Sequence, residues 1–132
     1  MRFDICNKKD EWYTPEYAIN PILDYIIPNS IVWCPFDKKC SNYVKLLSKE
    51  GHTVINSHLD NGEDFFNYFP KENIEYIISN PPYSLKTEVF ERLFNLKIPF
   101  AMLTGTLGLF DNLKRFELFS NNQFEILRRI EK

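Results

Sequence analysis

The sequence is short of the features that would put it in a membrane, outside the cell or on a metal. No apolar run approaches the ~20 residues of a bilayer span. The opening Met1-Arg2-Phe3-Asp4 lacks the apolar stretch of a secretory leader. The three cysteines, Cys6, Cys34 and Cys40, form no C-x-x-C pair and leave an odd thiol. A reduced set in a cytoplasmic protein is the expectation. Together with His52 and His58 they match no common zinc spacing, so no metal is expected. Positive charge is not in excess either. The formal net charge is −2, a poor match for non-specific DNA binding, which draws its affinity from Lys and Arg on phosphates. The pairs Lys8-Lys9, Lys38-Lys39, Lys114-Arg115 and Arg128-Arg129 read as solvated faces. Repeats, low-complexity stretches and linkers are absent as well.

What is present suits one packed domain over residues 1–132. The chain is 44% hydrophobic and 16% aromatic, with 12 Phe and 7 Tyr. That is enough for a core, and 132 residues are too few for two domains.

Residues 1–13 read as polar and loose. Thr14-Pro15-Glu16 reads as a helix start, with Thr14 as cap and Pro15 in the first turn. Ala18, Ile19, Ile22, Leu23 and Ile26 continue at helical spacing. Pro21 predicts a kink or a restart capped by Asn20. Strands are expected over residues 30–34, 53–57, 75–79 and 100–103, each a short apolar run bounded by turn residues. Helices are expected from Asp37 to Glu50, stopped by Gly51, and from Leu85 to Leu96. Asn61-Gly62 marks a turn, and residues 64–69 a short aromatic helix or turn. Phe110, Leu113, Phe116 and Phe119 predict a last helical face, and residues 124–130 a closing strand. His52 and His58 read as surface residues. Strands alternating with helices predict a three-layer α/β domain on a mostly parallel sheet.

Ligands in such sheets sit at the carboxyl ends of the strands. Those ends carry Cys34-Pro35-Phe36-Asp37, Ser57-His58, Ser79-Asn80-Pro81-Pro82-Tyr83 and Leu103-Thr104-Gly105. Asn80-Pro81-Pro82-Tyr83 holds unusual chemistry. The Asn80 side-chain oxygen and the Pro81 carbonyl are two acceptors, which match the two N–H bonds of an exocyclic amine. Pro82 stiffens the turn and removes a competing donor. Hydrogen bonds to both amine hydrogens favour a nitrogen whose lone pair points at an electrophile. Tyr83 supplies a ring on which a flat base can stack.

On these residues the chain resembles the amino-methyltransferases that use S-adenosylmethionine, particularly the N6-adenine DNA methyltransferases of phages and bacteria. Their motif is Asn or Asp, Pro, Pro, then Tyr or Phe, and residues 80–83 match it throughout. Trp12-Tyr13-Thr14-Pro15 looks like the family's Thr-Pro segment before the first core helix. Asp64-Phe65 looks like its Asp-Phe pair. The resemblance implies a reduced Rossmann-like methyltransferase fold without a separate target-recognition domain. It implies S-adenosylmethionine as cofactor and adenine in DNA, flipped out of the duplex, as target. It makes Asn80, Pro81, Pro82 and Tyr83 catalytic, and Tyr13, Thr14, Pro35, Asp37, Asp64 and Phe65 cofactor-binding. A bacterial cytoplasm is the implied setting, with a protein partner supplying sequence recognition.

Two departures set a second expectation beside the first. The loop Cys34-Pro35-Phe36-Asp37-Lys38-Lys39-Cys40-Ser41 lacks the family's glycines. The second strand ends in Ser57-His58 where an acid is usual, with Asp60 slightly later. RNA adenine, cytosine N4 and a protein glutamine amide stay open as targets. So does a non-enzymatic binder on the same scaffold, such as a phage inhibitor of a host nucleic-acid enzyme.

Overall fold

The computed structural model describes residues 14–104 and 109–127, without the side chain of Tyr83. Among these residues four strands form one sheet, all parallel, flanked by four α-helices. In chain order they are α1 (Glu16–Leu23), β1 (Ile31–Cys34), α2 (Asn42–Lys49), β2 (Thr53–Asn56), β3 (Tyr76–Ser79), α3 (Lys86–Leu96), β4 (Phe100–Met102) and α4 (Leu113–Ser120). The sheet order is β2-β1-β3-β4. This α/β arrangement is compatible with a Rossmann-like fold.

The period-two geometry of a strand sends successive side chains to opposite faces. Val32, Cys34, Ile78 and Ala101 point to one face, where Ile19 of α1 and Tyr43, Val44 and Leu47 of α2 pack. Trp33, Ile77, Phe100 and Met102 point to the other, against Val89, Phe90 and Leu93 of α3 and Phe119 of α4. Three layers result, with apolar strands covered on both sides. The register pairs Val32 with Val54 on one side and with Tyr76 on the other, and Ile78 with Ala101.

Several local expectations are corrected. Pro15, not Thr14, stands at the N-cap of α1, and no side chain caps it. Pro21 neither breaks nor restarts that helix, which ends at Leu23 rather than reaching Ile26. The helix expected from Asp37 starts at Asn42, because Ser41 accepts the Tyr43 N–H and caps there. Gly51 does stop it, at φ +93, a conformation that favours glycine. His52 is buried, not on the surface, and its Nδ1 accepts the Ser30 N–H at 3.1 Å. Cys40 is disulfide-bonded, so the cysteine set is not wholly reduced. The last helical face is mostly open: Phe119 is buried, whereas Leu113 is 74% exposed and Phe116 46%. Residues 123–127 form no strand, and 128–130 lie outside the described residues. The Phe124 ring packs on Phe119, centroids 4.8 Å apart, and this draws the segment toward α4 rather than into pairing with β4.

A cavity of about 770 Å³ runs beside β4, lined by Ile22, Tyr25, Phe94, Phe100, Phe124 and their neighbours. Its lining is mostly apolar, with Lys97, Asn122, Gln123 and Glu125 among the polar residues, and Asp37, Asp64 and Asn80 do not line it. No helix among the described residues is long and apolar enough to cross a membrane.

Ile77 is fully buried at the centre of the sheet, so Ile77→Ala is expected to cost about 2–5 kcal/mol in urea unfolding. Leu113→Ala, on the open face, is expected to stay within about 0.5 kcal/mol. Equal losses from the two would show that α4 is covered after all.

Candidate functional site at the strand ends

Because β2 and β3 flank β1, the chain leaves β1 first in one direction and then in the other. A crevice opens at such a reversal, outside the carboxyl ends of β1 and β3. Those ends are Cys34-Pro35-Phe36-Asp37 and Ser79-Asn80-Pro81.

Asp37 stands between them. Its Oδ2 accepts from the Ser79 hydroxyl at 2.5 Å, and its Oδ1 from the Ser41 hydroxyl at 2.6 Å. Its N–H donates to the Ser57 carbonyl at 3.1 Å, beyond the end of β2. Ser79 Oγ in turn accepts the Phe36 N–H at 3.3 Å. The carboxylate of Asp37 therefore joins the end of β3 to the cap of α2, and its backbone N–H adds the end of β2. Burial raises its pKa from 3.8 to about 6, against the opposing pull of the Ser41 and Ser79 hydrogen bonds. Burial, and then the charge of Asp37, push the Cys34 thiol well above its ordinary value. The same two causes, in the same order, with a smaller contribution from Cys34, raise the Tyr43 phenol.

Asn80 is half-buried just beyond β3. Its Nδ2 donates to Thr14 Oγ1 at 3.4 Å, a long bond. That sense leaves Oδ1 on the opposite side of the amide, with no donor among the described residues. Thr14 is itself buried: its carbonyl accepts from Asn42 Nδ2 at 2.7 Å, and its side chain hydrogen-bonds Tyr43. The Thr14–Asn80 pair spans 66 residues of sequence, so the segment before α1 lies on the loop after β3. Pro81 is buried and Pro82 half-buried, and Tyr83 opens a 3₁₀ turn leading into α3. The ring of Tyr83, and the whole of Tyr13, lie outside the described residues.

Pro35 is fully buried, and its carbonyl accepts from the Ser57 hydroxyl at 3.5 Å. Phe65 is a core ring, 2% exposed, with its centroid 5.0 Å from Phe36 and 5.6 Å from Trp33. The Arg92 guanidinium lies 5.2 Å from its centroid. Asp64 is half-buried and caps its own turn, accepting from the Phe66 N–H at 3.1 Å and from Asn67 Nδ2 at 3.3 Å. Beyond β2, Lys38 pairs with the exposed Asp60 at 2.9 Å, which ties the loop after β1 to the loop after β2.

Thr14, Pro35, Asp37 and Asn80 thus gather at the carboxyl edge of the sheet, and Phe65 packs on Phe36 of the loop after β1. Ser41, Ser57 and Ser79 were not singled out in the sequence. Ser79 adjoins Asn80, but its partner Asp37 lies across the sheet. No group of three or more His, Cys, Asp or Glu side chains suited to a metal occurs among the described residues.

A raised folded-state pKa means that folding tightens proton binding. The stability tied to Asp37 is complete below pH 3.8 and is lost as pH rises through about 6. A shift of this size corresponds to about 3 kcal/mol. Asp37→Asn is expected to remove that slope in urea midpoints measured from about pH 4.5 to about pH 7.5. Parallel wild-type and variant curves would contradict it. Comparison of the chain with protein-family models, with curated proteins and with solved structures returned no match.

Proposed function

We propose that the chain transfers a methyl group from S-adenosylmethionine to the exocyclic N6 amine of adenine in DNA. The observation that carries this reading is the Asn80 amide. Thr14 holds its nitrogen, and its oxygen has no donor among the described residues, at the reversal point of a parallel sheet. An amide anchored in this sense offers an acceptor to an amine without first breaking a bond to any of the described residues.

The donor set on the cofactor side suits the group in its chemistry. Asp64 has lone pairs beyond those its own turn uses, and Phe36 is a half-buried ring next to Phe65. A carboxylate near a ring suits an adenosine: Asp64 would accept from its amine and Phe36 would present a face. When bound, the cofactor supplies an electrophilic methyl on a sulfonium.

The work of the chain is positioning. Asn80 Oδ1 and the Pro81 carbonyl accept from the two amine hydrogens and orient the nitrogen lone pair. The methyl would come from the cofactor's sulfonium, and the proton that the amine gives up would go to solvent. Asn80 is not a base and takes no proton itself. On this reading Tyr83 stacks on the base and the setting is a bacterial cytoplasm. Sequence recognition in DNA comes from a partner protein, because the formal charge of −2 supplies little phosphate affinity.

A second reading, a binder without catalysis, is favoured by one observation. Both oxygens of Asp37 are already used within the chain, in a loop that has no glycine. Calorimetry with S-adenosylmethionine separates the two. Micromolar binding lost in Asp64→Ala is the expected result, and no binding at millimolar cofactor favours the binder. In a labelled-methyl assay on adenine-containing DNA, Asn80→Ala is expected to reduce transfer by about 100-fold or more. Equal signal from wild type and variant would remove Asn80 from its role.

A further inference from the structure

The sequence points to Asp37 as a ligand, but its surroundings suit another task. Its carboxylate is 9% exposed and accepts from hydroxyls on two separate segments, Ser41 at the head of α2 and Ser79 at the end of β3. Ser79 is bonded to the loop after β1 twice over, as donor to Asp37 and as acceptor from Phe36. The next residue after Ser79 is Asn80, whose amide is held from the other side by Thr14. Thr14 is bonded to Asn42 and Tyr43, the first two residues of α2. The result is a closed circuit from Asp37 through Ser79, Asn80, Thr14 and the start of α2 back to Ser41.

From this circuit we infer that Asp37 is a positioning residue that couples loop 35–41 to loop 79–82, so that the two sides of the site are set together and respond together to its protonation. The inference rests on the reading of these loops as the cofactor and substrate sides. A carboxylate accepts only, so both serines must donate to it. Adding a proton to either oxygen makes that oxygen a donor, and the hydrogen bond there reverses. Ser79 or Ser41 must then turn its own hydrogen elsewhere, and the circuit is rearranged on both sides at once. Among the described residues, the titratable groups that interact with Asp37 are Cys34 of β1 and Tyr43 of α2, both kept neutral by burial and by the charge of Asp37 itself. The nearest cation in sequence, Lys38, is engaged by Asp60. Proton uptake on lowering the pH toward the Asp37 value of about 6 is therefore the event that the loops feel.

The test is a pH titration by nuclear magnetic resonance on the full chain, with no cofactor or DNA added. The probes are the side-chain amide of Asn80 and the backbone amide of Ser41. In wild type both are expected to titrate with one midpoint near the Asp37 value. In Asp37→Asn neither is expected to move. In Ser79→Ala, a small change that preserves the packing on both sheet faces, Ser41 still titrates and Asn80 loses most of its response. Separate midpoints, or an unchanged Asn80 response in Ser79→Ala, would overturn the coupling. So would an Asn80 amide that never titrates. A normal titration together with absent methyl transfer would leave the coupling standing and remove the proposed reaction.

Discussion

The hydrogen bond from Ser79 to Asp37 joins what the sheet leaves separate. Parallel strands pair along their lengths, but nothing in the ladder specifies where the chain goes after each strand ends. At the end of β1 the chain must turn toward α2, and at the end of β3 toward α3. A 2.5 Å contact between side chains 42 residues apart fixes the two exits against each other. Leaving either partner buried and unpaired would cost about 1–3 kcal/mol, and more for the charged one. The loops therefore act as one body, and the direction of the Asn80 amide follows from that.

This arrangement depends on the layers beneath it. The strict alternation of β1 and β3 gives Trp33 and Ile77 to one face, and Val32 and Ile78 to the other. Slipping either strand by one residue would exchange the faces and carry Ser79 away from Asp37. The apolar packing thereby enforces a register that the polar contact then uses. On the lower-contact side of the molecule the same logic is missing. β4 has three residues, α4 buries one phenylalanine well, and the aromatic rings of Phe110, Phe116 and Phe124 remain partly open.

The strands were legible because each is a short run of β-branched and aromatic residues between turn signals, and all four stand close to where those runs predict. The place of Asn80 just beyond β3 was legible too, because two prolines end the strand there. The start of α2 was not. Asp37 has the chemistry of a helix cap, but Ser41 caps α2 by accepting the Tyr43 N–H, while Asp37 accepts from Ser79 of a distant strand. His52 was misjudged likewise, since its acceptor nitrogen serves the Ser30 N–H across the base of the sheet. The periodicity of residues 110–119 predicted a helix correctly but said nothing of what covers its face. Residues 124–130 alternate less cleanly than the other strand candidates, and Phe124 packs on Phe119 and Phe110. In each case local pattern identified the element, and a tertiary partner decided its end or its exposure.

Trp33 gives the molecule a built-in optical gauge. Its indole is fully buried among Phe65, Tyr68 and Phe69, and its Nε1–H donates to Ser57 Oγ at 2.9 Å. Ser57 is the residue whose carbonyl receives the Asp37 N–H. The fluorophore thus sits one hydrogen-bonded residue from Asp37, itself fully buried. With Trp12, the second tryptophan of the chain, replaced, its emission reports the field and hydration around Ser57. Events at the strand ends can therefore be followed in the unlabelled chain, by light, without a chemical tag near the residues under study.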